Sequence, residues 1–136
     1  MRQVIQIVPR LPPAITGVGD YAVLLAGELA KAHGWQTRFL NASADGLRIE
    51  VANKFHVEHL AQRRVSSLVD ALDRLVPPGT PLYVHYVGYG YQKRGCPYWL
   101  VRGLERWRRS GEGRRLVVMF HELFASGPIW MIAATA

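Results

Sequence analysis

The chain has 136 residues, 49% apolar and 20% charged, which is one domain at most and enough to bury roughly 68% of its unfolded surface. A single cysteine, Cys96, excludes an internal disulfide framework and fits a reducing compartment, and no apolar run approaches the ~20 residues of a membrane-spanning helix. The net charge of +7 favours anionic partners, whether nucleic acid, acidic lipid or a phosphorylated ligand.

Residues 4–8 are a short apolar run interrupted only by Gln6, the pattern of a buried strand. Residues 1–8 are too short for the apolar region of a secretory signal, and Pro9-Arg10 ends the run, so a cytoplasmic protein is expected. A proline- and glycine-bearing loop follows, 12–20, and then a helix over 21–33 closed by Gly34 as a left-handed cap. Tyr21, Leu24, Leu25, Leu29 and Ala32 form one stripe of that helix. Ala22, Ala26 and Ala30 form another, small enough for close approach to a sheet.

A second strand is predicted over 35–40. Residues 45–54 are ambiguous, with Leu47, Ile49 and Val51 alternating like a short strand or hairpin arm. A helix over 66–76 ends at Pro77-Pro78-Gly79, and a strand over 82–87 follows. Pro97 opens a helix running to about Arg109, with Leu100, Leu104 and Trp107 inward and Glu105 paired with Arg109 on the outer face. Gly111 and Gly113 break it, and residues 115–120 form the last strand. The alternation of strand and helix implies a parallel, doubly wound sheet. The apolar ending at 129–136, with no closing element, leaves the last strand partly unprotected, as in half of a larger sheet.

Strands of a parallel sheet end at one edge, so the glycine-rich segment and the strand ending in His121-Glu122 should open into one crevice. Consecutive amides at the helix start, in the segment that carries Gly17, Gly19 and Asp20, form an anion-friendly nest, in which the Asp20 carboxylate competes as an N-cap. His121 at a strand end can accept a proton or hydrogen-bond a polar ligand. His85, inside the fourth strand, reads as structural. Gly88 and Gly90 flank Tyr89 in what reads as a tight turn holding an aromatic ring over the crevice, suited to carbohydrate. His56 and His59 stand at i,i+3, but with one cysteine and no compact cluster no metal site is expected. Arg94, Arg102, Arg106, Arg108, Arg109, Arg114 and Arg115 form either a solvated face or a functional basic surface.

Gly17-Val18-Gly19-Asp20-Tyr21-Ala22 also matches the dinucleotide pattern G-x-G-x-x-A. Against it, the loop from Pro9 to the first glycine is long, and Asn41 and Ala42 stand where an acid is expected.

Three segments together resemble the retaining glycosyltransferases of the two-domain GT-B fold, the group called family 1 in domain classification and family 4 by sequence class. They are Ile7-Val8-Pro9 with residues 17–22, the strand Leu82-Tyr83-Val84-His85-Tyr86, and Leu116-Val117-Val118-Met119-Phe120-His121-Glu122. The resemblance implies an α/β, Rossmann-like parallel sheet with helices on both faces, an incomplete N-terminal GT-B domain on the acceptor side. It implies transfer of a sugar from a nucleotide-sugar donor to a sugar or lipid acceptor with retention, the donor being a substrate and no cofactor being required. Gly17 and Gly19 would lie near the donor phosphates or the transferred sugar, His121 would contact that sugar, and Glu122 is its neighbour. The basic helix, with Arg102, Arg106 and Arg109, resembles surfaces by which some members sit on the inner face of acidic membranes. The nucleotide-binding second domain is not encoded in these residues, so the chain alone is expected to transfer no sugar. Two alternatives stand beside this reading: a dinucleotide-dependent oxidoreductase fragment, and a stand-alone module binding anionic lipid or nucleic acid through its arginine-rich helix.

Overall fold

In the computed structural model, residues 2–12, 17–43, 55–92, 95 and 97–121 are described. They form a five-stranded, all-parallel sheet in the order β3-β2-β1-β4-β5, with helices on both faces, a Rossmann-like α/β fold. In chain order the elements are β1 (Gln3–Val8), α1 (Gly17–His33), β2 (Gln36–Asn41), β3 (His56–His59), α2 (Val65–Leu75), β4 (Pro81–Tyr86), α3 (Gly88–Tyr91), α4 (Tyr98–Arg109) and β5 (Arg115–Phe120).

The sheet is built outward from β1. Val4, Ile5, Ile7 and Val8 are fully buried, as a strand covered on both faces requires. The chain goes to β2 and β3 on one side and then returns across β1 to β4 and β5 on the other. That reversal makes the carboxyl ends of β1 and β4 the switch point of the sheet, the place where open parallel sheets bind ligands.

One face of the sheet is covered by α2 and α4. α2 buries Leu68, Ala71, Leu72 and Leu75, an i, i+3, i+4, i+7 stripe, and α4 buries Trp99, Leu100, Gly103, Leu104 and Trp107. These meet Ile5, Ile7, Leu40, Leu82 and Val84 in the larger core. Gly103 is what lets the two helices close. A Cβ there would stand 2.6 Å from Leu68 Cδ2.

The other face carries α1, and here the sequence reading is corrected in two respects. The helix starts at Gly17, four residues before the predicted boundary, so Gly17, Gly19 and Asp20 form its first turn rather than a loop. Its buried residues are Gly19, Ala22 and Ala26, whereas Leu24 is 70% exposed and Tyr21 44%. A helix lying close over a parallel sheet has room for glycine and alanine at the contact, so Ala22 and Ala26 face inward as their size suggested, while Ala30 and part of the leucine stripe face out. Gly34 does close the helix in the left-handed region, at φ 68°.

Other predicted elements fall within a residue or two of their observed bounds. β3 was not predicted, and Gly88–Tyr91 is one helical turn rather than a simple turn. The predicted strand or hairpin arm at 45–54, Arg94, Cys96, Glu122 and the apolar ending at 129–136 lie outside the described residues. Among the described residues β5 pairs with β4 alone, and its Val117, Val118 and Phe120 are exposed. No helix among the described residues is long and apolar enough to cross a membrane.

Candidate functional site

The polar side chains of the sheet are arranged in one line. Gln6 on β1 is in register with Phe39 of β2 and Tyr83 of β4, and His85 on β4 is in register with Met119 of β5. Side chains alternate faces along a strand, so Thr37, Gln6, His85 and His121 all emerge on the α1 face. Each displaced pair is joined by a hydrogen bond. Gln6 Nε2 donates to Thr37 Oγ1 at 3.4 Å, Gln6 Oε1 lies 2.5 Å from His85 Nε2, and His85 Nδ1 lies 3.0 Å from His121 Nε2. The line crosses four adjacent strands and reaches the carboxyl edge at His121. The His121 amide extends the β4–β5 ladder one residue further, donating to the Tyr86 carbonyl at 3.1 Å.

Thr37, Gln6 and His85 are buried, and His121 is partly exposed. Burial holds the His85 ring well below the usual histidine range, down to about 4, and the neighbouring His121 adds to the effect. Burial also lowers His121. Both rings are therefore neutral at pH 7, and the histidine pair acts by hydrogen bonding rather than by charge. Tyr21 caps the pair from α1, edge-on to both rings, with its centroid 6.0 Å from His85 and 5.2 Å from His121.

The structure thus brings His121 together with the start of α1, as expected from the sequence. Gly17 and exposed Asp20 lie in the first turn. A Cβ at Gly17 would meet nothing within 4 Å, so packing does not demand glycine there. His85, read as structural, is instead the direct partner of His121. The signal was present: two histidines at same-face positions on adjacent parallel strands, both near the carboxyl edge.

Tyr89 is placed differently from expectation. It lies in α3, partly buried, with its hydroxyl enclosed and without a hydrogen-bond partner among the described residues. The flanking glycines serve close packing. A Cβ on Gly88 would stand 2.6 Å from the Gly95 carbonyl oxygen, and one on Gly90 would stand 2.9 Å from the Pro9 ring.

Sequence reasoning missed Arg63. Its guanidinium donates to the carbonyls of Ala42 at 2.8 Å, Tyr91 at 2.7 Å and Gly90 at 3.0 Å, stapling the end of β2 to α3. The Tyr91 hydroxyl donates in turn to the His85 carbonyl at 2.7 Å, so the staple also braces the strand that carries His85.

Comparisons with family models, with curated proteins and with solved structures return no match. The chemistry of the site therefore rests on its own geometry. Asn41 ends β2 where a dinucleotide site places an acid, and its Nδ2 lies 3.4 Å from His59 Nδ1. His56 and His59 are three apart on a strand and so emerge on opposite faces, and no group of three potential metal ligands occurs among the described residues.

The arginine cluster divides. Arg102, Arg106 and Arg109 are exposed along one face of α4, with Arg109 3.0 Å from Glu105. Arg114 is instead bound into the fold. It bonds to Asp73 and Ser110 and to the Trp107 carbonyl, and its guanidinium sits 4.8 Å from the Trp107 ring centroid.

Proposed function

We propose that this chain is the acceptor-side α/β unit of a GT-B retaining glycosyltransferase, which transfers a sugar from a nucleotide-sugar donor to a sugar or lipid acceptor. The observation that supports this most is the position of His121. It stands at the carboxyl edge of β5, 5.2 Å from the Tyr21 ring of α1, so a neutral, hydrogen-bonding imidazole and the glycine-bearing start of a helix share one edge. In this reading the imidazole orients the transferred sugar, and the start of α1 that carries Gly17 and Gly19 lies toward the donor phosphates. Glu122 is a neighbour of the sugar site by resemblance. The groups that stabilise a departing diphosphate belong to a second domain, so this unit binds and orients but does not by itself turn over.

Saturation-transfer NMR on the purified chain with a panel of nucleotide sugars and free monosaccharides tests the reading. A sugar signal that disappears in His121→Ala supports it. Binding of nicotinamide dinucleotides in place of sugars would move the assignment to an oxidoreductase. Nucleotide release by the chain alone would contradict the division of labour between domains.

A second reading is favoured by α4, whose outer face joins Arg102, Arg106 and Arg109 to exposed Tyr98 and Val101. A basic face carrying an aromatic and an aliphatic side chain suits the surface of an anionic membrane. It is compatible with a lipid acceptor and with contact at the inner membrane face, and nucleic acid is the less favoured partner.

A further inference from the structure

We propose that His85, backed by Gln6 and Thr37, is a positioning residue that locks His121 as its Nε2–H tautomer and leaves Nδ1 as a bare acceptor at the sheet edge. Each proton along the hydrogen-bonded line has one available place. Gln6 Nε2 is committed to Thr37 Oγ1, so the oxygen Oε1 is the atom turned to His85. An amide oxygen only accepts, so the proton between them belongs to His85 Nε2. The His85 ring is buried and neutral at pH 7, and therefore carries no second proton; its Nδ1 is a lone pair. His121 Nε2, 3.0 Å away, must then be the donor. His121 is neutral as well, so its Nδ1 is unprotonated, and it has no hydrogen-bond partner among the described residues.

This arrangement has a consequence for the ligand. A bare ring nitrogen attracts an O–H and offers nothing to a phosphate or carboxylate oxygen. The group His121 recognises is therefore a hydrogen-bond donor, which on a sugar or other polyol is a hydroxyl, and the anionic part of any ligand must be held elsewhere. This last step rests on the glycosyltransferase reading; the tautomer lock does not. Tyr21 contributes by packing edge-on against both rings, which limits rotation of either imidazole out of the line.

The lock can be read directly in the free chain. With ¹⁵N-histidine labelling, two-bond proton–nitrogen spectra at pH 7 are expected to show His85 and His121 both protonated at Nε2 only. A nitrogen–nitrogen coupling across the hydrogen bond should link His85 Nδ1 to His121 Nε2. A His121 protonated at Nδ1, or an absent coupling, overturns the proposal. The variants separate positioning from mere packing. In His85→Asn the amide oxygen can replace Nδ1 as acceptor, and His121 is expected to keep its Nε2 proton. In His85→Leu no acceptor is left, and His121 should become a mixture of tautomers. An unchanged tautomer in His85→Leu would overturn the role of His85; if that variant does not fold, the wild-type spectrum and coupling decide alone. Titration with neutral monosaccharide then tests the ligand. A locked tautomer with no sugar-dependent shift at Nδ1 keeps the lock and removes the glycosyltransferase reading.

Discussion

The guanidinium of Arg63 lies over the indole of Trp99, 5.9 Å from its centroid, and both side chains donate to the same carbonyl oxygen, that of Tyr91. One carbonyl at the end of a four-residue helix thus joins the loop after β3 to the first turn of α4. Charge-assisted bonds of this kind are stronger than neutral ones, and the guanidinium fork serves three carbonyls at once.

Arg63→Met removes all three donors, taking this partner from the Ala42 and Gly90 carbonyls and leaving the Tyr91 carbonyl with only the Trp99 indole. A loss of about 2–4 kcal/mol is expected, read from urea midpoints. Arg63→Lys should recover less than half of it, because an ammonium is a point donor that cannot fork. Equal stability of the methionine variant and wild type would show that the staple is ornamental.

Stability should depend on pH through His85. Unfolded, this ring takes a proton near 6.5; folded, it resists until about 4. The sign follows from linkage: the unfolded state binds more protons between those values. The contribution is complete above pH 6.5 and is lost progressively as pH falls toward 4, amounting to about 3 kcal/mol at most. Urea unfolding at pH 7 and pH 4.5 measures it. His85→Asn should flatten the dependence, even if it is less stable throughout. An unaltered slope in that variant would place the titration elsewhere.

Gly103→Ala tests the contact between α2 and α4. Alanine favours the helix by about 1 kcal/mol over glycine, but its Cβ would lie 2.6 Å from Leu68 Cδ2, 3.2 Å from Cγ and 3.3 Å from Cβ. Leu68 is fully buried and cannot swing aside. Overpacking of this kind costs about 1–3 kcal/mol, so a net loss near 1 kcal/mol is expected. In Leu68→Ala the two closest contacts disappear and only the Cβ contact at 3.3 Å is left, so the double variant should lose less than the sum of the two single changes. Strict additivity would argue that the helices already part at this point.

The exposed arginines should behave in the opposite way. Arg102→Gln, Arg106→Gln and Arg109→Gln together should leave stability within about 0.5 kcal/mol. They should abolish any salt-sensitive sedimentation with vesicles containing phosphatidylserine. Retained, salt-sensitive binding by the triple variant would assign the membrane contact to another surface.

The core of the α2–α4 face was legible in the sequence because its signals are periodic. Leu100, Leu104 and Trp107 repeat at helical spacing, and all three are buried. β1, β4 and β5 were legible as short apolar runs between breakers. α1 was harder to phase, because leucine and alanine stripes coexist on it. Hydrophobicity favours the leucines, whereas close approach to the sheet favours Gly19, Ala22 and Ala26. Arg63 carries no pattern at all. Its role depends on three carbonyls contributed by distant turns. His121 could be singled out from its strand end, but its partner required the β4–β5 register, which places Met119 beside His85 and so His121 just beyond it. Pairings between strands 36 residues apart are properties of the fold and not of any local window.

The position of β1 has a bearing on synthesis. The first strand of the chain is also the central one, with β2 on one side and β4 on the other. When the first three strands have left the ribosome, β1 can pair with β2, but its other edge has no partner until residues 81–86 emerge. That vacant edge belongs to Val4, Ile5, Ile7 and Val8, apolar on both faces. Until those residues are made, the nascent protein presents a sticky strand to its neighbours, and helper proteins that shield such edges should raise its yield.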